Sequence, residues 1–201
     1  MSTDLEQPSK TSKRPDHWGA YLEMLISSAL GLWAALQLSI DAVILAANSN
    51  AELSCNINAK ISCGAVALSD QAKLLGFPNS FLGLITEPVV ITIAIAGLSR
   101  VKFPRWFMLT AQFFYTLGLI FAYWLFYESY FTIHRLCPWC LLVTATTTLV
   151  FASMTRINIL EGNFGQSVKQ RMQRPLAMWM DVWIVLIVLA IMAAMIIVRY
   201  L

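Results

Sequence analysis

The chain has 201 residues, 58% of them hydrophobic and 12% charged, with a mean hydropathy of +0.66. Soluble domains carry about 25% charged residues, so this composition excludes a large soluble core, and a net charge of +3 is too small to argue for a nucleic-acid partner. Residues 1–18, MSTDLEQPSKTSKRPDHW, are polar and hold two prolines, which reads as a disordered cytosolic tail. The apolar run behind them is too long for the core of a signal peptide and shows no compelling cleavage site, so it is expected to stay as a first span. A helix needs about 20 apolar residues to cross the hydrocarbon core. Five segments meet this need: 19–47, 80–98, 106–127, 138–154 and 177–198. The expected fold class is all-α, an integral membrane protein with five transmembrane helices. Spans one to four, with the long 48–79 connection, form one unit over 19–156. A cytosolic loop over 157–176 and a fifth helix over 177–201 follow.

Lys and Arg placement sets the expected orientation. Lys10, Lys13, Arg14, Arg100, Lys102, Arg105, Arg156, Lys169, Arg171 and Arg174 fall on one side, and only Lys60, Lys73, Arg135 and Arg199 on the other. The N-terminus is therefore expected in the cytosol and the C-terminus outside. Trp18, Trp106, Trp139, Trp179 and Trp183 lie near span ends, as an aromatic belt would. All four cysteines, Cys55, Cys63, Cys137 and Cys140, then face one extracytoplasmic, oxidising compartment.

The stretch IHRLCPWCLLV places Cys137 and Cys140 where a polar connection becomes a span. Pro suits the first helical position, which makes Cys137 the N-cap and puts Cys140 one turn in. The spacing brings both sulfurs to one face, within reach of a disulfide. The helix N-terminus carries roughly half a positive charge and favours thiolate, and His134 and Arg135 stand near enough to add to it. A static disulfide and a zinc site with Cys55 and Cys63 are the bland alternatives. The seven residues between Cys55 and Cys63 are wide for paired zinc ligands. The 48–79 loop is long enough to be functional or disordered. Its apolar Val66, Leu68, Leu74, Leu75 and Phe77 predict a short, partly helical segment over the mouth of the bundle. Alone, Cys55 and Cys63 would read as a loop staple. With a CxxC on the same side, the two pairs read as a relay, one exchanging with an external partner and the other with something in the membrane.

These motifs together, ISC with Ser69 six residues after Cys63, then GFPNSFLG, then CPWC opening a span, resemble the vitamin K epoxide reductase family over roughly residues 20–155. The closer likeness is to its bacterial members, which oxidise protein thiols and reduce a membrane quinone. The resemblance implies a four-helix catalytic bundle around a quinone, capped by the loop, in the bacterial cytoplasmic (inner) membrane. It implies that Cys137 and Cys140 are the active-site pair, with Cys140 beside the quinone. Cys55 and Cys63 become the shuttle pair, Cys63 exchanging with Cys137. Ser69 falls in the capping segment, and Asn79 resembles the donor to a quinone carbonyl. The quinone, menaquinone or ubiquinone, is the electron-accepting substrate. The vertebrate enzyme has a tyrosine four residues after the second CxxC cysteine; this chain has Thr144, which favours plain quinone reduction over epoxide reduction. Many bacterial members carry a fused thioredoxin-like domain. Here the sequence stops at Leu201, so a separate extracytoplasmic thioredoxin-fold protein is the expected partner.

Two other functions compete. A four-span quinone-linked oxidase of the other bacterial type has its CxxC first and its loop cysteines later, the reverse of the order here. A non-enzymatic carrier or assembly subunit with a stapled outer loop is the second. Glu87, inside the second span, is a candidate proton relay, set against a plain hydrogen bond to a neighbouring helix beside Pro88. Asp41, in the last turns of span one, reads as a packing or interface residue and is assigned no catalytic role, and Glu23 and Asp181 are expected to be solvated. The aromatic run WFMLTAQFFYTLGLIFAYWLFYESYF suits a flat ring or lipid equally, and TATTTL suits close helix packing.

Overall fold

The computed structural model describes residues 17–56 and 60–200. Residues 1–16, most of the expected tail, lie outside the described residues. Helix α1 spans Trp18–Ala47, and α2, Cys63–Ala67, lies in the following loop. A 3-10 turn over Asp70–Lys73 leads to α3, Ser80–Leu98. Helix α4, Arg105–Tyr127, continues as a π-helical stretch over Glu128–Ile133. Then come α5, Pro138–Glu161, α6, Gln166–Ala177, and α7, Met180–Tyr200. The chain is all-α, and α1, α3, α4 with its extension, α5 and α7 are long and apolar enough to cross a membrane. Ile26, Leu30, Ile85, Phe114, Ile120 and Ile187 are exposed on these helices. Side chains of that kind belong against lipid, since a soluble surface rarely carries contiguous apolar area of this extent.

Three boundaries differ from expectation. Helix α5 runs on to Glu161 instead of stopping near 154, because Ile157 and Asn158 turn inward and are fully buried. Polar residues there serve the bundle core, which a hydropathy reading cannot see. Gly162, at φ 79°, ends the helix in the left-handed conformation. The expected 157–176 loop is instead the last turn of α5 followed by α6, an amphipathic helix whose Val168, Met172 and Leu176 recur every fourth residue. The fifth span starts at Met180, three residues late, after a left-handed Trp179 at φ 58°.

Helix α1 lies at the centre and packs along α3 and α5, while α4 packs on α5. Small residues permit this. A Cβ at Gly83 would stand 2.7 Å from the Ala35 Cβ, and one at Gly31 would stand 3.1 Å from both Glu87 Oε1 and Thr146 Oγ1. At Gly97 an added Cβ would enter the buried ring of Tyr21, whose hydroxyl donates to Glu161 Oε1 at 3.1 Å and so holds the ring in place. Close approach through small residues is how helices associate in lipid, where burial of apolar area gives no drive. Gly97→Val should therefore cost about 1–3 kcal/mol or more through overpacking, read as a lowered unfolding midpoint in detergent. Gly118→Val, where a Cβ meets nothing, is the control.

The end of the bundle away from the cysteines is held by polar contacts. Asn163 Nδ2 donates to Asn158 Oδ1 at 2.8 Å, Asn158 Nδ2 to Gln112 Oε1 at 3.1 Å, and Gln112 Nε2 to Thr155 Oγ1 at 3.1 Å. These buried groups satisfy one another across α4 and α5, as buried polar groups must. Helix α7 is pinned at both ends. Asp181 pairs with Arg156 at 3.0 Å, and the Arg156 guanidinium lies over Trp179, so Asp181 is not freely solvated as expected. Glu23 is likewise half-buried beside it. At the other end Tyr130 donates to the Met195 carbonyl at 3.2 Å, and Arg199 stacks on Tyr130 and meets His134 Nδ1 at 3.0 Å.

Candidate active site

Local rules fix the first cysteine pair. Cys137 has extended backbone and is the N-cap of α5, Pro138 opens the helix, and Cys137 Sγ accepts from the Cys140 N–H at 3.4 Å. Both cysteines are free thiols; Cys137 is buried and Cys140 half-buried. The Cys137 pKa lies below the ordinary thiol value, first because the Cys140 thiol hydrogen-bonds to it, then through backbone N–H groups of Cys140 and Trp139. Burial opposes the shift and loses. His134 contributes elsewhere, to Arg199 and the Tyr130 carbonyl. Alkylation of Cys137 should accordingly titrate below the ordinary cysteine range of about 8.5, and Cys140→Ala, which removes the leading donor, should move the midpoint back up. Iodoacetamide rates followed by mass against pH measure both.

The loop is folded by its own polar side chains. Ser62 caps α2 by accepting from Ala65 N–H at 3.2 Å, and its hydroxyl donates to Asn56 Oδ1 at 2.9 Å. Asn56 Oδ1 also takes the Gly64 N–H at 3.0 Å. These contacts bring Cys55 beside Cys63, and the two are joined as a disulfide. The loop is then fastened to the segment before α5. Ser62 N–H donates to the Leu136 carbonyl at 2.9 Å, and Leu136 N–H to the Lys60 carbonyl at 3.0 Å, a parallel bridge of two rungs. The next residue on each side is a cysteine. Cys63 Sγ and Cys137 Sγ lie 3.3 Å apart, in van der Waals contact without a bond. Leu45, Leu53, Val66 and Trp139 pack around the sulfurs. Cys55 also borders an open cleft with Ser54, Pro138, Trp139 and Leu142.

The remaining sequence candidates fall in varied places. The capping segment is partly helical as expected, but Leu68, Leu74, Leu75 and Phe77 are exposed on it rather than turned into the bundle mouth. Ser69 precedes the 3-10 turn and donates to the Val66 carbonyl at 2.6 Å, a local role in the cap. Asn79 Nδ2 donates to the Gln71 carbonyl at 2.6 Å and its N–H to Ala72, tying the cap to the start of α3. Its Oδ1 is buried with no partner among the described residues, and its Nδ2 makes one of its two possible donations there. Glu87 takes the interhelical bond: Tyr115 on α4 donates to Oε1 at 3.1 Å. Its Oε2 is buried and unpartnered. Thr144 is buried and donates to the Cys140 carbonyl at 3.0 Å.

The sequence reading leaves one residue of this site as no more than a packing or interface candidate. Asp41, buried on α1, holds Oδ2 3.4 Å from Cys55 Sγ. An acid in an apolar run, two turns before the loop that carries Cys55, was the available signal.

The family model described as "Vitamin K epoxide reductase family" matches residues 22–155. That interval holds α1 to most of α5 and all four cysteines. No curated protein matches the chain significantly.

Proposed function

Since the chain belongs to the vitamin K epoxide reductase family and is thus a multi-pass membrane oxidoreductase, we propose that it passes electrons from a reduced extracytoplasmic thioredoxin-fold protein to a membrane quinone and so generates disulfides. The supporting observation is the contact of Cys63 Sγ with Cys137 Sγ at 3.3 Å, inside an apolar shell. Thiolate exchange needs such an approach, and reacting atoms held about 3–3.5 Å apart gain much of the rate that orientation can give. A stapled loop has no need of it.

The relay starts when a partner thiolate attacks Cys55 at the open cleft and leaves as a disulfide, with both loop cysteines reduced. Cys63 then attacks Cys137 of the oxidised CxxC, and Cys140 leaves as thiolate. Cys55 closes on Cys63, and Cys137 is released. A bound quinone supplies a two-electron sink, and Cys140 faces it. Asn79 suits both forms of this substrate: its spare N–H fits a quinone carbonyl and its orphan Oδ1 fits a quinol hydroxyl. In this reading the cysteines face outward across the bacterial cytoplasmic membrane, as the Lys and Arg bias implies. The partner is a separate protein.

The test uses the full chain in nanodiscs. After mild reduction, adding ubiquinone or menaquinone should restore the Cys137–Cys140 disulfide before alkylation and yield quinol in equal amount. A carrier or assembly subunit with a stapled loop would leave the thiols unchanged by quinone, and that outcome ends the proposal.

A further inference from the structure

Asp41 is buried in an apolar run, and the one polar atom recorded against its carboxyl among the described residues is Cys55 Sγ, at 3.4 Å. One carboxylate oxygen and the sulfurs of Cys55 and Cys63 all lie within 4.8 Å of one another. Among the described residues the titratable groups its charge reaches are Cys137 and Cys140 at the start of α5, and the disulfide-bonded Cys55 and Cys63 of the loop lie against it. A buried carboxyl without a cation or a set of donors is costly, so its persistence beside a reacting sulfur calls for a reason.

We propose that Asp41 is the proton acceptor for Cys55 when the loop disulfide closes, and the proton donor to Cys55 when the thioredoxin-fold partner leaves it as a disulfide. This rests on the relay described above and adds a group to it. In the closing step the chain holds a Cys63–Cys137 disulfide, a Cys55 thiol and the Asp41 carboxylate. Cys55 passes its proton to Asp41 and its sulfur bonds to Cys63. The Cys63–Cys137 bond breaks, and its electron pair leaves on Cys137. The products are the Cys55–Cys63 disulfide, the Cys137 thiolate and the Asp41 carboxylic acid, so Cys55 is oxidised, Cys137 is reduced, and charge and protons balance. The structure has the geometry of that product state: the loop disulfide is closed, Cys137 is free and 3.3 Å from Cys63, and the Asp41 carboxyl rests on Cys55 Sγ. Cys137 lies outside that cluster, and α5 supplies the N–H groups that serve it instead; Cys63, which the same carboxylate also approaches, is the sulfur under attack in this step and gives up no proton. A base thus stands at the sulfur that must lose a proton for the loop disulfide to close.

The experiment follows the full chain in nanodiscs during turnover with a thioredoxin-fold dithiol protein and ubiquinone. Samples are quenched in acid, alkylated and mapped by mass. Asp41→Asn should accumulate the Cys63–Cys137 mixed disulfide and resolve it about 100-fold more slowly, the range of a lost general base. Its rate should climb with pH as solvent takes over the proton, while the wild-type rate depends less on pH. Asp41→Glu should restore most of the rate, which a packing role would not allow. Resolution by Asp41→Asn at the wild-type rate at every pH would overturn the assignment. If Asp41→Asn does not fold, infrared difference spectra of the wild-type chain decide. Opening the loop disulfide must change a carboxyl band, and no change overturns the assignment. A wild-type chain that ignores quinone defeats the relay; a working relay indifferent to Asp41 defeats only this inference.

Discussion

Cys140→Ala abolishes quinone reduction with every electron donor, lowering turnover by at least about 10³-fold, as loss of a covalent participant does. In the proposed relay Cys140 is the last sulfur before the quinone, so no donor bypasses it. The fold should survive the change, because Cys140 is half-buried and makes no bond that the helix needs beyond its own backbone. Quinol formation monitored by absorbance, with a small dithiol and then with a thioredoxin-fold protein, gives the answer. Residual turnover near wild type with either donor removes Cys140 from the electron path.

The second large effect is selective by donor. Cys55→Ala should cut oxidation of a thioredoxin-fold protein by at least about 10²-fold, with a far smaller effect on a small dithiol that can reach the Cys137–Cys140 disulfide directly. Cys55 borders the open cleft, whereas Cys63 and Cys137 are each 1% exposed. Cys55 is itself buried at 7% exposure, and the cleft beside it offers a protein thiol its approach. Equal loss with both donors would mean that the loop pair shapes the site and does not carry electrons. Comparing kcat/KM for the two donors in one preparation makes this distinction free of differences in protein yield.

The parts of the molecule that local rules govern could be read from sequence. Long apolar runs gave the five spans, and the Cys-Pro-X-Cys order placed Cys137 at a helix N-cap with Cys140 one turn in. The capping segment was expected to be helical, and α2 with its 3-10 turn is. Where the reading stopped, distant contacts decide. Asn158 and Ile157 extend α5 beyond its apolar run because α4 and the α5–α6 turn offer them partners. Helix α6 is too polar for a hydropathy window, and its apolar residues recur every fourth position. Glu87 was weighed as a relay or as an interhelical bond, and Tyr115 supplies the bond. Asp41 reads as a packing or interface residue, because nothing local says that Cys55, 14 residues on, will fold back and set its sulfur against it. The 3.3 Å sulfur contact likewise depends on a backbone pairing between residues 74 positions apart in the chain.

That pairing of residues 60–62 with Leu136 has a consequence for how the loop can operate and change. Both rungs are main-chain bonds, so the tether itself spends no side chain. Only removal of an N–H can open a rung, which makes proline at 62 or 136 the single-residue route to an uncoupled loop. With the tether intact, the loop sulfurs behave as a docked terminal and not as a swinging arm. In the proposed relay their effective molarity toward the Cys137–Cys140 pair then stays high whatever the supply of a partner, and any partner is what has to travel.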